Sequence, residues 1–118
     1  MLKRLVLGMA LLLCISAVKA DKIWLSDGSV LVGQLQMLVN GKAMLKTASA
    51  GDLVIDQTQI VNIETAVPLN GVLQNNERVN GKLQAGTNGQ LMVEGSAAPI
   101  ALQNIKALWG EGMDDPTL

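Results

Sequence analysis

The chain contains no histidine, phenylalanine or tyrosine, one cysteine and two tryptophans. Each absence removes a class of function. Histidine is the commonest general base and metal ligand near neutral pH, and cysteine is the readiest nucleophile. The one thiol, Cys14, lies in the apolar N-terminal segment. Beyond it, catalysis would rest on carboxylates, lysine or an activated hydroxyl. Ser26, Ser29, Ser49 and Ser96 have no imidazole to activate them and sit in no nucleophile motif. The chain therefore reads as a non-enzyme with no catalytic, cofactor-binding or metal-binding residues. With no cysteine after residue 20, the fold must be held by burial and hydrogen bonding rather than by disulfides.

The N-terminus carries the strongest local pattern. Lys3-Arg4 precede an apolar run over residues 5–18, and Val18 and Ala20 stand at the −3 and −1 positions of a cut after Ala20. The run is about 14 residues, where a bilayer needs roughly 20, so residues 1–20 read as a secretory signal peptide and not as a membrane span. A lipoprotein signal wants Gly, Ala or Ser just before its cysteine. Leu11, Leu12 and Leu13 precede Cys14, so the lipidation motif is incomplete. Cleavage after Ala20 removes Lys3, Arg4 and Lys19, leaving six basic against ten acidic residues and a formal charge of −4. That balance offers no electrostatic footprint for phosphates and counts against a nucleic-acid partner.

The remaining chain repeats itself at an offset of 48 residues. Leu25/Leu73, Gly33/Gly81, Leu35/Leu83, Gln36/Gln84, Asn40/Asn88, Gly41/Gly89 and Met44/Met92 are identical pairs. Further on, Leu53 and Ile55 align with Ile100 and Leu102. After a two-residue deletion, Ile60 and Ile63 align with Ile105 and Leu108. Residues 21–66 and 67–110 thus read as two copies of one β unit, followed by a flexible tail at 111–118.

Each copy divides into five short strands. In the first they fall at 22–26, 29–39, 42–47, 53–56 and 60–64, with one helical turn at 57–59. Asp27-Gly28 and Asn40-Gly41 are two-residue hairpin signals, and Gly33 inside the long strand marks a bulge or bend. In the second copy the strands fall at 71–74, 78–85, 90–94, 100–102 and 104–109. No stretch after residue 20 has helical periodicity. The order is that of an all-β fold of two tandem, small, bent five-stranded barrels of the SH3-like or Sm-like kind.

The opening Asp21-Lys22-Ile23-Trp24-Leu25-Ser26-Asp27-Gly28 followed by Gly33, then Asn40-Gly41-Lys42, then residues 50–55 leading to 60–65, resembles the start of a bacterial envelope family known as domain of unknown function 481. The resemblance covers residues 21–66 well and the second copy weakly, because Asn75-Asn76 replace Asp27-Gly28. In that family the segment follows a signal peptide and precedes an outer-membrane β-barrel, and no such barrel region follows in these 118 residues. The resemblance implies a periplasmic location, with outer-membrane association as a further option, and a small β-barrel. It implies no catalytic residues.

Asp52 and Asp56 share a strand face but stand about 13 Å apart at roughly 3.3 Å per residue, too far for one metal or an acid/base pair. Glu111, Asp114 and Asp115 lack the spacing of a calcium loop. Met44 and Met92 occupy equivalent positions, which favours core packing over an adaptable surface. Trp24 and Trp109 are not repeat equivalents and are the candidate partner-binding residues. Trp24, out of phase with Ile23 and Leu25, is the better placed of the two. The reading is a periplasmic protein-interaction module, its partner an envelope protein or a second copy paired through strand edges, with no integral span after signal cleavage. The alternatives are a ligand- or glycan-binding protein and an Sm-like nucleic-acid binder. Two tryptophans and Arg78 are thin material for stacking sugars or bases.

Overall fold

The computed structural model describes residues 20–118; residues 1–19, with Lys3, Arg4 and Cys14 of the expected signal peptide, lie outside the described residues. The fold is all-β. The first unit consists of β1 (Asp21–Leu25), β2 (Val30–Val39), β3 (Lys42–Thr47), β4 (Gly51–Asp56), a 3-10 turn (Gln57–Gln59) and β5 (Ile60–Glu64). The second consists of β6 (Leu69–Leu73), β7 (Arg78–Gly81), β8 (Leu83–Gln84), β9 (Gln90–Val93), β10 (Ile100–Ala101), a 3-10 turn (Leu102–Asn104) and β11 (Ile105–Gly110). Among the described residues no helix is long and apolar enough to cross a membrane.

The first hairpin of each unit has the same register. Asp21 faces Gly33 and Trp24 faces Val30 in the β1–β2 pair; Leu69 faces Gly81 and Val72 faces Arg78 in β6–β7. The Ser29 N–H donates to the Asp27 carboxylate at 2.8 Å, and the Glu77 N–H donates to the Asn75 side chain at 2.9 Å. Asn75-Asn76 thus build the same turn as Asp27-Gly28, Asn76 taking the positive φ of Gly28. Asn40-Gly41 and Asn88-Gly89 turn with φ of 55° and 75°, and 55° and 74°. These are the paired left-handed conformations that a two-residue hairpin requires.

Two sequence expectations change. Gly33 carries no bulge: β2 runs through it. A Cβ there would lie 2.5 Å from the Lys46 carbonyl oxygen, so glycine serves close backbone approach. The bulge falls between Leu35 and Met37. Leu102 is not a strand residue. Ala43 faces Ile55 and Leu91 faces Ile100, so Ile100 is the counterpart of Ile55, and Leu102 is that of Gln57. The shortening of the second copy lies before β10, in the loop at 94–99.

The units join along two seams. Residues Met37–Val39 of β2 pair with Ala107–Trp109 of β11. The order β4-β3-β2-β11-β6-β7 is therefore one continuous path through both units. At the other seam β5 meets the β8 segment: the Thr65 N–H donates to Leu83 O at 2.9 Å, and Asn62 exchanges hydrogen bonds with the Gly86 backbone. The 3-10 turns also bond across the units, through equivalent acceptors but non-equivalent donors. The Gln57 amide donates to the carbonyls of Leu102 and Ile105 at 2.9 and 3.1 Å. The Gln103 amide donates to those of Gln57 and Ile60, the counterparts of the first pair, at 2.8 and 3.4 Å. One hydrophobic cluster holds Ile23, Leu38, Leu45, Ile60 and Ile63 together with Leu83, Leu91, Leu102, Ile105 and Leu108, so the two units share a core. That answers the difficulty a unit of about 45 residues faces in burying enough apolar surface alone.

Candidate interaction surface

Direct cross-strand partners project to the same face of a sheet. Along the joint path Trp109 faces Met37, Met37 faces Met44, and Met44 faces Val54. One apolar row therefore crosses the seam on the outer face. Its exposure rises steadily outward: Trp109 is 4% exposed, Met37 is partly buried, Met44 is 38% and Val54 68% exposed. Lys42 and Asp56 flank the row on one side and Lys46 and Asp52 on the other, each pair cross-strand partners. Lys42 and Asp56 form an ion pair on this face.

Met44 is thus a surface residue, against the core role inferred from its equivalence with Met92. Both are outward, between the buried pairs Ala43/Leu45 and Leu91/Val93. The clue lay in the sequence: Met44 stands at strand spacing between Lys42 and Lys46 and must share their face.

The two tryptophans separate. Trp109 is buried in a second, smaller cluster with Val72 and Ala107, against which Val39 packs. It is a packing residue, not an exposed anchor. Residues 111–118, expected as a flexible tail, turn back toward this face. Asn80 donates to Glu111 at 2.9 Å, and Arg78 forms an ion pair with Asp115 at 3.0 Å. The Thr117 hydroxyl and N–H donate to the Asp115 carboxylate at 2.6 and 2.7 Å. The Thr117 hydroxyl bond, with help from the Thr117 N–H and from Arg78, holds this carboxyl below its ordinary pKa. Trp24, the counterpart of Val72, stays partly exposed on the outer face of β1. Its row continues into Val30, 47% exposed, and Val32 in the next row is 51% exposed.

Asp21, not singled out by sequence, is a buried carboxylate. It accepts the Leu35 N–H at 2.7 Å and the Ala66 N–H at 2.8 Å. In the second unit the Leu83 N–H, counterpart of Leu35, is taken instead by the Thr65 hydroxyl at 2.9 Å. Both side chains satisfy a buried donor. Asp21 also borders an inter-unit crevice of about 340 Å³ lined by Gln34, Gln36, Pro68 and Glu111. Among the described residues no group of three or more acidic, histidine or cysteine side chains converges to hold a metal ion. Asp52 and Asp56 point outward on β4, as expected.

No family model matches this chain, and comparison with curated proteins and with solved structures finds no significant match.

Proposed function

We propose that this chain is an exported, periplasmic protein-interaction module of the bacterial cell envelope. In this reading it is non-catalytic and built from two SH3-like or Sm-like small barrels. The export assignment rests on the signal-like residues 1–20, and the envelope assignment on the resemblance of residues 21–66 to the domain of unknown function 481 family. The observation that carries the interaction reading is the apolar row Trp109–Met37–Met44–Val54, which becomes progressively exposed toward one end of the joint sheet. Adaptable methionines rimmed by charge suit a protein contact. A second reading, a glycan or small-ligand binder, draws on the crevice beside Asp21 with its polar lining of Gln34, Gln36 and Glu111.

The test is cross-linking capture of the tagged full-length protein from its native envelope, read by mass spectrometry. Recovery of one envelope protein at near-stoichiometric yield supports the module. Reproducible turnover of an envelope substrate, abolished by a single carboxylate substitution, would replace it with an enzyme. Selective retention of a cell-wall glycan without any protein would favour the second reading.

A further inference from the structure

The apolar row ends on a strand with an open edge. β4 pairs with β3 alone and terminates the joint path. Its six residues run in unbroken register from Thr47–Gly51 to Lys42–Asp56. Among the described residues no backbone group bonds to its other side. Its repeat counterpart, β10, has two residues and follows Pro99, which has no N–H to offer. Natural sheets blunt exposed edges by shortening them and by placing proline there. One edge of this molecule is blunted in that way, and the equivalent edge is left at full length.

We infer that β4 is the docking edge of the interaction surface, accepting an extended segment of a partner protein as an added strand; this rests on the interaction reading above. The side chains of β4 define the segment. Asp52, Val54 and Asp56 point outward in alternation. A complementary strand carries a cation, an apolar residue and a cation at the same alternate positions. That pattern is unchanged on reversal, so it serves either strand direction. Asp52 forms no ion pair among the described residues, and Lys42 engages one oxygen of Asp56, leaving the other open.

The same charges argue against a second copy. Antiparallel self-pairing with Val54 opposite itself sets each Asp52 against the other chain's Asp56. Parallel self-pairing in register sets like against like. Directly opposed like charges destabilise a strand pair. Added-strand recognition takes affinity from main-chain bonds and specificity from alternate side chains, so a partner of opposite charge pattern fits where a copy does not.

The probe is a short capped peptide alternating threonine with lysine, valine and lysine, titrated into the full-length protein and followed by NMR shifts of residues 51–56. A peptide with glutamate in place of both lysines is the comparison. At low salt the lysine peptide should bind about tenfold more tightly than the glutamate peptide, from two cross-strand pairs. Val54→Lys, at a site already exposed and so neutral for folding, should abolish the shifts. Asp52→Lys combined with Asp56→Lys should invert the preference toward the glutamate peptide. Equal binding of both peptides, or unchanged binding by Val54→Lys, overturns the assignment. So does a dimer of the free protein, seen by sedimentation, that Val54→Lys dissociates. Envelope capture that survives Val54→Lys removes β4 as the site while leaving the interaction function standing.

Discussion

The two units of this protein answer the same structural questions with different residues. The buried N–H of Leu35 in the first unit is satisfied by Asp21, and that of its counterpart Leu83 in the second unit by Thr65, reaching across the seam from the first. Leu69 takes the place of Asp21, and Val72 that of Trp24. The outer face of β6 and β7 is met by the C-terminal tail through Arg78 and Asn80. The equivalent face of β1 and β2 shows Val30 and Val32 at those positions, both exposed. The fourth strand keeps six residues in one unit and two in the other. The backbone plan is constrained because the units complete each other through the seams and a common core. Outer faces and edges carry no such constraint and have diverged. The second unit is closed off, and the first presents apolar side chains and an open edge.

The two tryptophans give the largest expected contrast. Trp109→Ala empties a buried aromatic site and should cost about 3–5 kcal/mol in urea denaturation. Trp24→Ala, at a partly exposed position, should cost about 1–2 kcal/mol. Because the core is shared, both variants should unfold in a single transition seen equally by probes in either unit. Two separated transitions would divide what is described here as one fold.

Giving the first unit the residue of the second comes next. Asp21→Leu leaves the buried Leu35 N–H without an acceptor, at about 1–3 kcal/mol, and removes the partner of the partly buried Ala66 N–H at a smaller cost. Asp21→Asn, which keeps one acceptor oxygen, should fall between Asp21→Leu and the native chain. An unchanged urea midpoint in Asp21→Leu would show that the carboxylate is not needed to satisfy these groups.

The smallest effect concerns the tail. The Thr117 hydroxyl bond, assisted by Arg78, lowers the pKa of Asp115 in the folded chain. A lowered folded value contributes stability that is present above the ordinary carboxylate pKa of about 3.9. It is lost as pH falls through the lower folded value. Acidification below about pH 4 should therefore loosen residues 111–118 before the core opens. In a Trp24→Phe background the emission of Trp109 should shift accordingly. Arg78→Ala should raise the pH of that shift slightly.

Much of the backbone was legible because its signals are local. Asn40-Gly41 and Asn88-Gly89 specify hairpins through φ alone. Residues 42–47, 57–59 and 60–64 fall in the predicted elements without adjustment. The repeat set Trp24 and Trp109 at non-equivalent positions, and in the structure Trp24 is the counterpart of Val72. What escaped depends on partners far away in sequence. The seam between Met37–Val39 and Ala107–Trp109 joins residues about 70 apart, and nothing local marks it. Trp109 is buried because of that seam, so its environment could not be read from its neighbours. Similarly, Gly33 suggested a bulge or bend from sequence, whereas its close approach to the Lys46 carbonyl depends on a partner across the hairpin. The acceptor role of Asp21 rests on Leu35 and Ala66, which only the folded chain brings together. The surface row was partly legible, since Lys42, Met44 and Lys46 alternate. Repeat identity at Met44 and Met92 marks a shared position, and that position lies on the outer face in both units.

The most direct test places a photo-cross-linking residue at Val54 in one variant and at Ala101, in the blunted edge strand, in another. Both sites are exposed and hold equivalent strands of the two units. Irradiated in the native envelope, the variant at position 54 should yield one discrete adduct with a partner protein, and the variant at 101 none. Equal labelling from both sites, or an adduct from position 101 alone, would contradict the claim that the first unit's open edge is the interaction surface.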